Sequence, residues 1–137
     1  MKDFIMGFAV FLILIFFPLQ WTLNQINHYK IQSVSNIVTN AAQKARTDGY
    51  FKEYNINELK VKIADVLYVD QSEVTINVTT TPKYRFDQFE KREMIQYEIG
   101  IPIKKIIAIP GFFGISETEN GFEYIIKGAV PSELLAP

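Results

Sequence analysis

Residues 4–19 read FIMGFAVFLILIFFPL, sixteen positions without a charged or polar side chain. Twelve of them are Phe, Ile, Leu or Val. At roughly −0.3 to −0.6 kcal/mol per residue for insertion, the run favours a bilayer by about 5 kcal/mol, less what Gly7 and Pro18 subtract. Extended to Thr22, it gives a helix of roughly 28 Å, close to the thickness of a hydrocarbon core. Trp21 stands where an interfacial aromatic belongs, and Met1-Lys2-Asp3 is a short polar start. A secretory signal peptide needs small residues after the run. Here Pro18-Leu19-Gln20-Trp21-Thr22 follows, with no Ala-x-Ala pattern, so the segment reads as retained. The run is also too uniform and too aromatic for the core helix of a small soluble protein.

The helical pattern continues beyond it. Apolar residues recur at Leu23, Ile26, Val34, Ile37, Val38, Ala41, Ala42 and Ala45, a stripe at helical spacing. The residues between are amide-rich rather than charged: Asn24, Gln25, Asn27, Gln32, Asn36, Asn40 and Gln43. Lys44 and Arg46 suit the negative end of the helix dipole, and Gly49 is a natural stop. The pattern predicts one helix over about 3–48, roughly 70 Å long, with a kink at Pro18, which removes the bond to the Leu14 carbonyl. A membrane anchor needs only the first half. The second half offers Ile26, Val34, Ile37, Val38, Ala41 and Ala45 for packing on a folded head or on neighbouring helices.

Residues 49–137 are long enough for one small domain. Residues 49–56 read as an aromatic connection, and Asn57 as the cap of a short helix over 58–68 with Leu59, Ile63, Val66 and Leu67 on one side. The period then changes to two. Residues 73–80 (EVTINVTT) and the alternation Ile95, Tyr97, Ile99, Ile101 predict two strands. Between them, residues 83–92 are charged and aromatic, a solvated connection that includes Arg85, Asp87, Glu90, Lys91, Arg92 and, just beyond, Glu93. Residues 102–115 (PIKKIIAIPGFFGI) are apolar but too short and too interrupted for a second span. They read either as a loop that covers the core or as an apolar surface for a neighbour. Residues 122–130 predict a last strand with Phe122, Tyr124 and Ile126 on one side, followed by a short tail. The expected fold is α+β: a long N-terminal helix (1–48) carrying a small antiparallel sheet with one short helix (49–137).

Charge and composition exclude several functions. Fourteen basic and fifteen acidic residues are well mixed, giving a net charge of −1, so no basic face for nucleic acid is evident. There is no cysteine, hence no disulfide framework and no thiol chemistry. The single histidine, His28, reads as an exposed helix residue. Glu117, Glu119 and Glu123 lack the alternating ligand pattern of a calcium loop and read as a solvated turn. No nucleophile elbow, phosphate loop or dinucleotide fingerprint occurs, so no catalytic, cofactor or metal site is expected and the chain does not read as an enzyme. Asn77-Val78-Thr79 matches a glycosylation sequon, too short a pattern to carry a reading.

A hydrophobic N-terminal segment, an amphipathic continuation and a small β-rich head together resemble the type IV filament superfamily of pilins, pseudopilins and archaeal-type subunits. The stretch Asn40-Ala41-Ala42-Gln43-Lys44-Ala45-Arg46-Thr47-Asp48-Gly49 is similar to the small-residue segment that follows the span in TadE-like minor pilins of tight-adherence systems. The start departs from the bacterial pattern: Ile5 stands where those pilins usually carry glutamate, and Asp3 is the only acid. No leader with a glycine cleavage site precedes Met1, so the resemblance implies a chain already mature at Met1 or one that is not processed.

The resemblance implies a structural subunit held in the inner, or cytoplasmic, membrane before assembly and then displayed on the cell surface in an extracellular filament. Its partners would be copies of itself and the pilus assembly machinery. The filament core would be built from Phe4, Phe8, Phe11, Leu12, Ile15, Phe16 and Leu19, with Asp3 neutralising Lys2 or a neighbour's amino terminus. The other reading is a single-pass component of a secretion, conjugation or envelope machine that binds partners without polymerising. Lys2 argues for an inside N-terminus, whereas His28, Lys30, Lys44 and Arg46 beyond the span favour the opposite, so outward display rests on the resemblance.

Overall fold

In the computed structural model, which describes residues 1–86, 92–116 and 119–137, one helix takes up the first third of the chain. Helix α1 runs Lys2–Asp48 and passes through Pro18 as a single element. Helix α2 follows at Glu53–Leu67, then a 3₁₀ turn at Gln71–Glu73. Strands β1 (Thr75–Val78), β2 (Met94–Lys104) and β3 (Gly121–Pro131) form one antiparallel sheet in the order β1-β2-β3, with a second 3₁₀ turn, Pro110–Phe113, between β2 and β3. The fold is α+β, as the sequence pattern implies.

The chain forms two compact units, and their boundary does not fall at residue 48. One unit joins Met1–Lys30 to Ile103–Phe122. The other joins Ile31–Pro102 to Glu123–Pro137.

The larger unit holds the main core. Val34, Val38, Ala41, Ala42 and Ala45 of α1 are buried, as are Phe51, Leu59, Ile63, Ala64 and Leu67 from the chain that follows and Val74, Ile95, Ile99 and Ile101 from the strand region. The helical stripe from Val34 onward therefore does pack on the head. Ile37 is only half-buried, at the rim of this stripe. Ile26 is a correction: it is 45% exposed and belongs to the other unit, so it packs in no core. Each fully buried Phe, Leu or Ile contributes about 1.5–3 kcal/mol relative to exposure, and Phe51, Leu59, Ile63, Ile95, Ile99 and Ile101 are the largest such side chains in this unit.

Several element boundaries differ from the sequence pattern, three of them for a visible reason. Helix α2 begins at Glu53, with Lys52 rather than Asn57 at its cap position, so 53–56 is helix and not connection. The cause is tertiary. Asn55 is buried, and its side-chain amide donates to the Ala41 carbonyl at 3.1 Å, which offsets the poor helix propensity of asparagine. Strand β1 starts two residues later than expected, because Gln71–Glu73 closes a 3₁₀ turn in which the Glu73 carboxylate accepts the Asp70 N–H at 3.2 Å. Strand β2 runs through Pro102 to Lys104. Its pairing with β1 ends at Gly100, opposite Thr75, so a proline two residues on takes no N–H from that ladder.

Candidate functional site

The first half of α1 is long and apolar enough to cross a membrane, and none of its apolar window is buried within the protein. Phe4, Phe8, Phe11, Ile15 and Leu19 are all exposed. At 3.6 residues per turn their spacing of three and four places them on one stripe. Asp3 stands exposed in the first turn, where an acid suits the positive end of the helix dipole. The side chain of Thr22 donates to the Pro18 carbonyl at 2.9 Å.

A second stripe on the same helix half is partly covered. Leu12, Phe16, Gln20, Leu23 and Asn27 are half-buried, again at helical spacing, roughly 100° round the helix from the free stripe. The segment that links β2 to β3, within the same compact unit, meets this stripe at Phe16, Gln20 and Asn27. The side-chain amide of Asn27 donates to the Lys105 carbonyl at 3.2 Å. Gln20 makes two bonds to the segment: its Nε2 donates to the Ile106 carbonyl at 2.6 Å, and its Oε1 accepts the Ala108 N–H at 2.9 Å. The Phe16 ring packs edge-on against Phe113, centroids 5.5 Å apart, and Phe113 against Phe112 at 5.3 Å.

The base of this segment is closed by Asn120, which is buried. Its side chain accepts the Ile107 N–H at 2.7 Å and donates to the Ile107 carbonyl at 3.0 Å, while its own carbonyl accepts the Lys105 N–H at 2.8 Å. At the tip, Pro110 has no N–H to satisfy, and the N–H groups of Gly114 and Ile115 return to the carbonyls of Gly111 and Pro110. Apolar side chains point outward all the same: Ile109, Phe112 and Phe113 are exposed. Residues 102–115 combine both readings: Ile103 is buried and residues 106–108 are half-buried beside α1, whereas Ile109, Phe112 and Phe113 at the tip are exposed.

The larger unit explains the stretch Asn40 to Gly49. Ala41, Ala42 and Ala45 are buried, so the helix lies close to what it packs on. Arg46 ties down the chain after β3. Its Nη2 meets the Glu133 carboxylate at 2.7 Å, its Nε donates to the Pro131 carbonyl at 3.3 Å, and its own carbonyl accepts the Glu133 N–H at 2.9 Å. Arg85 at 3.2 Å and Arg92 at 3.0 Å share the same carboxylate. Arg46, with Arg92 and Arg85 beside it, holds the Glu133 carboxyl below its ordinary value. Lys62 and Lys44 do the same for Glu58. Gly49 then turns the chain with φ +86°, a left-handed conformation that glycine adopts without a steric cost.

Several sequence readings meet their structural outcome here. The segment 83–92 is not simply solvated, because Arg85 and Arg92 fold onto Glu133; Asp87, Glu90 and Lys91 lie outside the described residues. Glu119 closes a tight turn with Ser116, and Glu117 lies outside the described residues. His28 is exposed. Of the helix residues expected to meet neighbours, Leu12 and Phe16 are half-buried within the protein itself. Gln20, Phe113, Asn120 and Glu133 carry no sequence signal of their own. The amide-rich run that includes Asn27 marks a polar face on α1 but carries no sign of a loop 78 residues away.

No family model, curated protein or solved structure matches the chain.

Proposed function

We propose that this chain is a structural subunit of an extracellular type IV-like filament, anchored in the cytoplasmic membrane before assembly and packed through its N-terminal helices afterwards. The observation that carries the reading is the division along α1. Its apolar first half leaves the Phe4, Phe8, Phe11, Ile15 and Leu19 stripe bare, whereas its second half is built into a folded core through Val34, Val38, Ala41 and Ala45. A bare apolar helix with satisfied backbone bonds is stable in lipid, and equally in a water-free bundle of its own copies. Leu12 and Phe16 are engaged internally, so the filament contact is assigned to the free stripe. Asp3 sits in the first turn of the helix, from which it would pair with Lys2 or with a neighbour's amino terminus in the filament. Electron microscopy of sheared surface material, with mass spectrometry of its protein, tests the reading. Filaments containing this chain are expected; membrane-bound monomer with no filament contradicts it.

One observation favours a second reading, a single-pass envelope component that binds partners without polymerising. The loop packed on Phe16 already takes one face of the helix that a homopolymer would use. The same micrographs separate the two.

A further inference from the structure

We infer that residues 106–115 form a second membrane-inserting element, a loop that enters the lipid beside α1 and rests in the acyl–headgroup boundary. The inference depends on Phe4–Leu19 being a bilayer span and not on filament assembly.

The argument begins with depth. Along the loop, contacts to α1 step steadily toward the apolar end of the helix: Lys105 at Asn27, Ile106 and Ala108 at Gln20, Phe113 at Phe16. From Asn27 to Phe16 is a descent of about 16 Å at the usual helical rise. Phe16 lies five residues inside Trp21, or about 7.5 Å below the interfacial ring by the same rise. Whatever depth the span gives Phe16, the ring of Phe113 shares it. That depth is within the roughly 5–10 Å at which interfacial elements bury their apolar faces.

The loop's chemistry fits that environment. Residues 106–115 (IIAIPGFFGI) carry no charge, and Lys104 and Lys105 stand exposed at the base, where headgroup phosphates would lie. A loop in lipid must satisfy its backbone internally, because an unmet N–H or C=O there costs several kcal/mol. The two carboxamides of Gln20 and Asn120 meet the Ile106 carbonyl, both backbone groups of Ile107 and the Ala108 N–H, Pro110 lacks the donor, and the tip N–H groups of Gly114 and Ile115 turn back on Gly111 and Pro110. In water such pairing is unnecessary, and Phe112, at 69% exposure, would be unfavourably wet.

The chain has no cysteine, so single labels are unambiguous. The full chain is reconstituted in vesicles of phosphatidylcholine and phosphatidylglycerol with a nitroxide at Phe112→Cys, and in parallel at Phe11→Cys within the span and Ser72→Cys on an exposed turn. Collision rates with oxygen and with a water-soluble nickel chelate are measured. The expected result is an oxygen-to-nickel ratio at 112 several-fold above that at 72 and approaching that at 11. A ratio at 112 equal to that at 72, with 11 protected, overturns the loop insertion and leaves the span standing. A water-exposed label at 11 overturns the span and the loop together.

Discussion

Arg46 on α1 and Glu133 beyond β3, 87 residues apart, meet at 2.7 Å. Arg85 and Arg92 join the same carboxylate, so one acid gathers three arginines from two distant segments of the larger unit. Arg46 and its companions hold the Glu133 pKa below the ordinary value. A carboxylate depressed in the folded state stabilises the fold above its unfolded pKa, about 4.3, and that contribution is lost as pH falls through the lower folded value. Glu58, depressed by Lys62 and Lys44, acts with the same sign. Thermal melts of the detergent-solubilised chain should therefore weaken below about pH 4. Glu133→Gln should lower the midpoint at neutral pH and flatten the acid decline. A mutant whose melting follows the wild-type pH profile would show that the cluster is not coupled to folding.

Gly49 has a conformation with no substitute. Its φ is +86°, and a Cβ there would come within 2.8 Å of the Lys83 carbonyl oxygen and 2.6 Å of a Leu134 methyl group. Gly49→Ala should destabilise the larger unit by about 1–3 kcal/mol, from left-handed strain plus displacement of these neighbours. Chemical denaturation followed by circular dichroism checks it; an unchanged midpoint would contradict the packing described.

The buried face of α2 and the exposed face of α1 should respond differently to truncation. Ile63→Ala, opening a cavity at a fully buried site, should cost about 2–5 kcal/mol. Ile26→Ala, at an exposed position of the other unit, should cost within about 0.5 kcal/mol. Equal losses at both positions would restore Ile26 to the core stripe.

How far the sequence discloses this arrangement depends on whether the signal is periodic. The helix from Lys2 to Asp48 and the alternation of Ile95, Ile99 and Ile101 are legible, because burial on one face imposes a period on the residues themselves. The start of α2 is not, because Asn55 reads locally as a helix breaker and is held only by the distant Ala41 carbonyl. The candidate site is half legible for the same reason. The bare stripe from Phe4 to Leu19 announces itself. The covered stripe depends on Gln20 and Asn27 reaching residues 105–108, a pairing without any local pattern. The Asn40–Gly49 stretch draws notice for its small residues, but its physical roles, close packing at Ala41 and Ala45, the Glu133 clasp at Arg46 and the turn at Gly49, appear only once the tail after β3 is in place.

The central claim is that copies of this chain pack through the free stripe of α1. Phe11→Cys, introduced into the cysteine-free chain and oxidised in intact cells, tests it most directly, because the stripe is exposed and a cross-linked homodimer joins position 11 of one copy to position 11 of another. The account predicts cross-linked dimers that depend on assembly and disappear when the filament machinery is absent. Phe11→Cys that stays monomeric in cells bearing filaments of this chain, while a label on the covered stripe at Leu12→Cys cross-links, would contradict it.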